Sequence, residues 1–283
     1  MYTFISFIME KKIITGERIQ QLADIYIGKQ DDFEYNPLIW NQSNKHVNLD
    51  SLIAEYDNPS ILFCYPHHIH SFSQKINNFK NPFILITHNS DENIVNSDTI
   101  LTILDNPNVK KWYAQNICFK HEKLYYLPIG MANSMWTHGN LDFFKNVNDL
   151  FIKSKKVYFN FNMNTNYNKR NECYHSLKDK LTFLDIISPE LNLKRLSEYE
   201  FCICPEGNGV DTHRLWECFY LKTVPIVKNS VFIQILKEHN LPLVILENWD
   251  DYDENTLMYE DYNFDNLRIF MTDIIDDIDR SLQ

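Results

Sequence analysis

Short apolar runs closed by turn residues pattern the first half of the chain. Residues 61–65 (ILFCY), stopped by Pro66, and 82–87 (PFILIT) read as strands buried on both faces, since no polar position alternates with the apolar ones. Residues 100–104 and 124–127 predict two further strands, and 109–117 between them predicts a helix. Upstream, Ile19, Leu22, Ala23 and Tyr26 recur at helical spacing, so residues 13–27 predict a helix capped by Thr15. Residues 31–40 are polar and aromatic and read as a loop, with Asn36 and Pro37 as its turn signal.

The second half continues the alternation. Residues 141–156 are polar and lysine-containing and read as a hinge, after which 156–161 restart as a strand. Residues 173–180 predict a helix, 184–187 a short strand or turn, 231–238 a helix and 243–246 a last strand. Residues 247–261 are acidic and rich in Trp and Tyr, with no legible role. Leu267, Phe270, Met271, Ile274, Ile275 and Ile278 space out a closing amphipathic helix over about 264–283. Alternating strands and helices imply an α/β fold built on parallel sheets. The expected organisation is two Rossmann-like domains, 1–150 and 151–283.

The most informative stretch is 201–227. Residues 201–204 form a buried strand, residues 205–210 carry two of the chain's six glycines, and Asp211 or Thr212 can cap a helix over 213–221. Residues 223–227 read as the next strand, with Pro225 suggesting an edge or a bend. Strand, glycine turn, helix and strand make up the mononucleotide-binding half of a doubly wound fold. Glycines let main-chain amides approach an anion, and the helix start adds unpaired N–H groups. Arg214 in the first turn can clamp phosphate oxygens, and Glu217 three residues on can accept from the vicinal hydroxyls of a ribose. Leu215 and Phe219 lie off that face and pack on the sheet. The alternative is an ordinary Arg214–Glu217 surface pair.

Composition narrows the function. A formal charge of −11 disfavours a broad nucleic-acid footprint. The six cysteines (Cys64, Cys118, Cys173, Cys202, Cys204 and Cys218) contain no Cys-x-x-Cys pair, a reducing-compartment pattern. Cys202 and Cys204 face one side of their strand as small apolar groups. Residues 1–10 are apolar but too short to span a bilayer, and no later segment is long enough, so a cytoplasmic protein without a membrane span is expected. A Gly-x-Gly-x-x-Gly dehydrogenase fingerprint is missing.

PEGNGVDTHRLWE (205–217) followed by VPIV (224–227) resembles the donor-binding segment of exostosin-like glycosyltransferases of the GT-B architecture, and LPIGMANSMWTHGN (127–140) is similar to that group too. The group usually has a glycine before the last strand, where this chain has Lys222, so the helix must end without a glycine C-cap. The resemblance implies two domains facing a cleft, with the closing helix packing back on the first. It implies transfer of a sugar from a nucleotide diphosphate sugar, a co-substrate rather than a cofactor, to a glycan or other hydroxyl acceptor, with no metal needed. Arg214 would hold the diphosphate and Glu217 the ribose. Gly207, Asn208, Gly209, Asp211, Thr212 and His213 would complete the donor site.

Residues 162–170 add neutral donors (Asn162, Asn164, Thr165) and a second cation, Arg170, for phosphate or leaving group. Loops at the carboxyl ends of the first-domain strands are the acceptor side, with His67, His68, His70, His88, Asp91, Asn133, Trp136 and His138 as candidates. Trp136 offers a flat face to a sugar ring or serves the core. If transfer inverts the anomeric centre, a base must take the acceptor proton, and Asp91, His67, His68 and His88 are the choices. Two other readings stay open. One is a metal-dependent hydrolase using His68 and His70 with Asp91, since His-x-His on an extended segment puts both rings on one side. The other is a nucleotide or glycan binder without catalysis.

Overall fold

The structure, a computed structural model, describes residues 12–52, 60–145 and 151–283; the apolar segment 1–10 lies outside them. It is an α/β protein with two wholly parallel sheets of six and four strands, a Rossmann-like doubly wound arrangement. The compact units divide at Gly130, upstream of the 150 expected.

One unit joins Ile14–Ile129 to Phe270–Gln283. Its strands are β1 (Ile25–Gly28), β2 (His46–Asn48), β3 (Ile61–Cys64), β4 (Phe83–Thr87), β5 (Val109–Ala114) and β6 (Leu124–Tyr126), in the order β2-β1-β3-β4-β5-β6. The order reverses between β1 and β3, and open α/β sheets bind ligands at that switch point, beyond the carboxyl ends of the strands. Tyr26, Phe63, Ile84, Ile86 and Tyr113 meet Ile14, Ile19 and Ala23 in one core, which Met271, Ile274 and Ile278 of the closing helix Met271–Leu282 complete. The Tyr113 hydroxyl fixes that helix by donating to the Asp277 carbonyl (3.2 Å).

Four expectations fail here, each for a local reason. The helix over 13–27 stops at Gln21, because Asp24 accepts from the Ser60 and Ile61 amides (2.8 and 2.9 Å) and steers Ile25 into pairing with Leu62 as β1. The expected strand 100–104 and helix 109–117 exchange identities. Ser97 Oγ accepts from the Ile100 amide (3.5 Å) and caps the helix Asp98–Leu104, whose buried Ile100, Ile103 and Leu104 sit at helical spacing. Residues 109–114 then form β5. The loop 31–40 holds two short helices, Gln30–Glu34 and Pro37–Trp40, the second capped by Asn36 with Pro37 at its first position.

The other unit is built on Gly130–Ile269. Its strands β7 (Lys155–Tyr158), β8 (Tyr199–Ile203), β9 (Val224–Lys228) and β10 (Val244–Leu246) run side by side in chain order. Helices Tyr167–Leu177 and Pro189–Leu196 connect β7 to β8, His213–Tyr220 connects β8 to β9, and Val231–Glu238 connects β9 to β10. No strand forms at 184–187, and part of the expected hinge is the short helix Asp142–Lys145. Pro225 does not mark an edge, since β9 lies between β8 and β10. The β10 pairing begins only at Ile226, so the residue without an N–H precedes that ladder. The acidic 247–261 stretch has a role after all: its short turns bury Trp249, Tyr252 and Leu257 in the core with Phe201 and Ile226.

Lys222 resolves the missing glycine. It adopts the left-handed conformation itself (φ 54°), while the Thr223 amide bonds to the Cys218 carbonyl (2.9 Å) and the Lys222 amide to the Phe219 carbonyl (3.2 Å). This is a Schellman ending made by a residue with a Cβ, at a cost of about 1 kcal/mol. Lys222→Gly should therefore raise the urea unfolding free energy by about 1 kcal/mol, and an unchanged or lower value would contradict this account. Among the described residues no helix is long and apolar enough to cross a membrane.

Candidate functional site

The loops beyond the carboxyl ends of β7 and β8 bring together most of the predicted donor residues. Arg214, in the first turn of the helix His213–Tyr220, donates from Nε to Glu217 Oε2 (2.9 Å) and from Nη1 to the Asn160 carbonyl (2.8 Å), with Tyr158 beneath it. The pair is mostly buried, with side-chain exposures of 19% and 14%, so it is no ordinary surface pair. Burial would lower the Arg214 pKa, but the Glu217 carboxylate outweighs it and holds the guanidinium charged. Nη2 of Arg214 and Oε1 of Glu217 have no protein partner among the described residues.

Arg170 is the second cation, and its position is the unusual one. Only 8% exposed, it donates from Nε to the Glu206 carbonyl (3.1 Å) and from Nη1 to the Asn162 carbonyl (2.6 Å), over the Phe161 ring. Among the described residues no carboxylate pairs with it; the Glu206 side chain faces Lys169 (3.7 Å). Burial, and after it the charge of Arg214, push its pKa down to about 10, so it stays cationic at neutral pH. Arg170, Arg214, Glu217, Asn160, Asn162 and His138 line one cavity of about 550 Å³.

The glycine loop works differently from its sequence reading. Gly130 (φ 65°), not Gly207 or Gly209, is the glycine in the left-handed region. Gly207 leaves room instead: a Cβ there would lie 3.2 Å from Thr212 Cγ2 and 3.5 Å from Arg170 Nη2. Asn208 and Gly209 complete the turn. Thr212 occupies the cap position in extended conformation but makes no side-chain cap bond, and its buried Oγ1 has no partner among the described residues. Asp211 accepts from Trp216 Nε1 (2.7 Å). Within 162–170, Asn162 Oδ1 accepts from the Asn164 amide (3.0 Å), and Thr165 lies near Gly207. Asn166, which the sequence reading passed over, bonds to the Gly207 carbonyl (2.6 Å) and caps the helix Tyr167–Leu177, joining the two loops. Its neighbours Asn162 and Asn164, already picked out as donors, were a signal; the Asn160 contribution, a carbonyl, has none.

Asn133, Trp136 and His138, expected on the first domain, belong to this same unit. Trp136 is 43% exposed and stacks on His138 (ring centroids 6.3 Å), which also meets His213. His213 bonds through Nδ1 to the Gly130 carbonyl (2.8 Å). Gly139 is obligatory, because a Cβ would lie 1.9 Å from the Asn133 carbonyl oxygen. Beneath Arg214, Cys202, Cys204 and Cys218 converge in the core, with Cys204 and Cys218 sulfurs 3.8 Å apart. Burial pushes the Cys204 and Cys218 thiols well up, whereas hydrogen bonds from those two and the Arg214 charge pull the Cys202 thiol down against its burial.

The remaining candidates stand in the six-stranded unit. His67 Nε2 and His68 Nε2 both meet the Asp32 carboxylate (2.8 and 2.7 Å). Burial alone would raise Asp32, but hydrogen bonds from His67, the Lys29 amide and His68, with the His68 charge, hold it at about 2. Asp32 lay in the stretch read as a loop, with no signal to single it out. His70 is not part of this cluster: it follows a 3-10 turn into the helix Ile69–Ser73 and bonds to Thr99 (3.2 Å). The His68, His70, Asp91 ligand set therefore does not form. Asp91 is exposed in the loop after β4, and His88 is sealed at 1% exposure with Nε2 on the Pro128 carbonyl (2.9 Å).

Fold and site together define an α/β protein of two parallel sheets whose four-stranded unit opens on a cavity with two guanidinium groups. Compared with known proteins, the chain matches no protein-family model and no curated protein.

Proposed function

We propose that this chain is a glycosyltransferase that moves a sugar from a nucleotide diphosphate sugar to a hydroxyl acceptor, in the manner of the exostosin-like GT-B group its 205–227 segment resembles. One observation carries the reading: Arg170 is a buried cation with no carboxylate partner among the described residues, beside a second guanidinium, on a cavity. Buried charges are paired or bind a ligand, and two neighbouring cations fit the two phosphates of a nucleoside diphosphate. Glu217 Oε1 is then free to accept from ribose hydroxyls. In the reaction the bond from the anomeric carbon to the β-phosphate oxygen breaks and a bond to the acceptor oxygen forms. The leaving electron pair ends on the diphosphate, where Arg170 and Arg214 neutralise it, and the acceptor proton passes to a general base.

The test is a thermal-shift screen of the full chain against nucleoside diphosphates and their sugars, followed by product analysis. A matching donor at a hundred times its Kd adds about 2.7 kcal/mol, a rise of several degrees. No shift with any diphosphate would defeat the reading; a shift without hydrolysis or transfer would leave a nucleotide binder.

A further inference from the structure

We infer that Asp32, His67 and His68 form a binding site for a divalent transition-metal ion of the zinc type, with a coordination position left open. It goes beyond the proposed transfer reaction, whose donor cavity contains none of the three. The ligand atoms, two imidazole Nε2 and a carboxylate oxygen, all lie within 4.8 Å of one another. Two imidazoles and a carboxylate are a donor set that suits zinc, iron, cobalt or nickel, and three protein ligands leave room for water or substrate.

Position supports chemistry. Asp32 follows β1 and the two histidines follow β3, so the cluster sits at the carboxyl ends of the strands between which the sheet order reverses. The carboxylate is oriented from behind: Asp32 Oδ2 accepts from the Lys29 amide (2.7 Å), the outer-shell bond that ligating carboxylates require. Gly28 leaves space for it, since a Cβ there would lie 3.0 Å from Asp32 Oδ2 and 3.1 Å from the Tyr65 ring. Asp32 and His68 are mostly buried (15% and 13% exposed), while His67 at 37% provides the way in.

Loading widens both nitrogen–oxygen contacts. The nitrogens are now 2.7–2.8 Å from the carboxylate oxygens, and two ligands on one tetrahedral ion stand about 3.3 Å apart. The side chains open by roughly half an ångström, and each Nε2 gives its lone pair to the ion while its proton moves to Nδ1 or to solvent.

Cobalt(II) titration of the full chain, read by visible absorption, provides the test. One equivalent should bind with the d–d bands of nitrogen and oxygen ligation and without thiolate charge-transfer bands. Asp32→Asn and the double variant His67→Ala, His68→Ala should each weaken binding more than tenfold, and His70→Gln should not. Cobalt should raise the Tm of the unmutated chain and of His70→Gln and not of Asp32→Asn or the double variant, and the same melts show whether each variant folds. Thiolate bands, or equal affinity in Asp32→Asn and the double variant, would overturn the assignment.

Discussion

Arg214→Ala should lower kcat/KM for the sugar-nucleotide donor by about a hundred- to a thousandfold, the cost of removing one donor aimed at developing charge in a closed site. Among the described residues the guanidinium bonds to Glu217, to the Asn160 carbonyl and more weakly to Cys202, and Arg214 lines the cavity. Deleting it also leaves Glu217 mostly buried without its cation, at about 1–3 kcal/mol of stability. The two effects separate by measurement. Nucleoside diphosphate titration by calorimetry reports the lost clamp, and Tm without ligand reports the lost pair. Arg214→Lys keeps the charge but not the planar fork, so it should fall between the two. Diphosphate affinity within threefold of the unmutated chain would remove Arg214 from the donor site.

Trp216→Ala should be the most destabilising single change near the site, at about 3–5 kcal/mol. Trp216 is fully buried, packs edge-on against Phe219 (5.4 Å) and donates from Nε1 to Asp211 Oδ1 (2.7 Å). It thus ties the end of the glycine loop to the helix that carries Arg214 and Glu217. Trp216→Phe keeps most of the volume and loses that hydrogen bond, so about 1–3 kcal/mol is expected. Urea unfolding of the three proteins, compared by midpoint and slope, decides the ranking. An alanine variant within 1 kcal/mol of the unmutated chain would mean that the loop and helix hold each other by other contacts.

The sequence by itself determined what depends on local pattern. Uninterrupted apolar runs bounded by Pro and turn residues placed β3, β4, β6 and β8, and 231–238 was legible as the helix Val231–Glu238, because burial on both faces and helical spacing leave marks within a few residues. The strand, glycine loop, helix and strand of 201–227 were readable for the same reason, with Arg214 and Glu217 one turn apart. Short amphipathic segments were not secure: 100–104 and 109–117 exchanged roles, since a five-residue run with four apolar positions fits either period and a serine cap decided between them. Tertiary structure alone decided the partners. That Arg170 bonds to the Glu206 carbonyl, that Asp32 lies between two histidines, and that Asn166 reaches the Gly207 carbonyl are facts about residues 35 to 41 apart in the chain or about main-chain atoms. Such pairings are set by how strands stack side by side, and a chain read in order carries no record of which loops that stacking brings together.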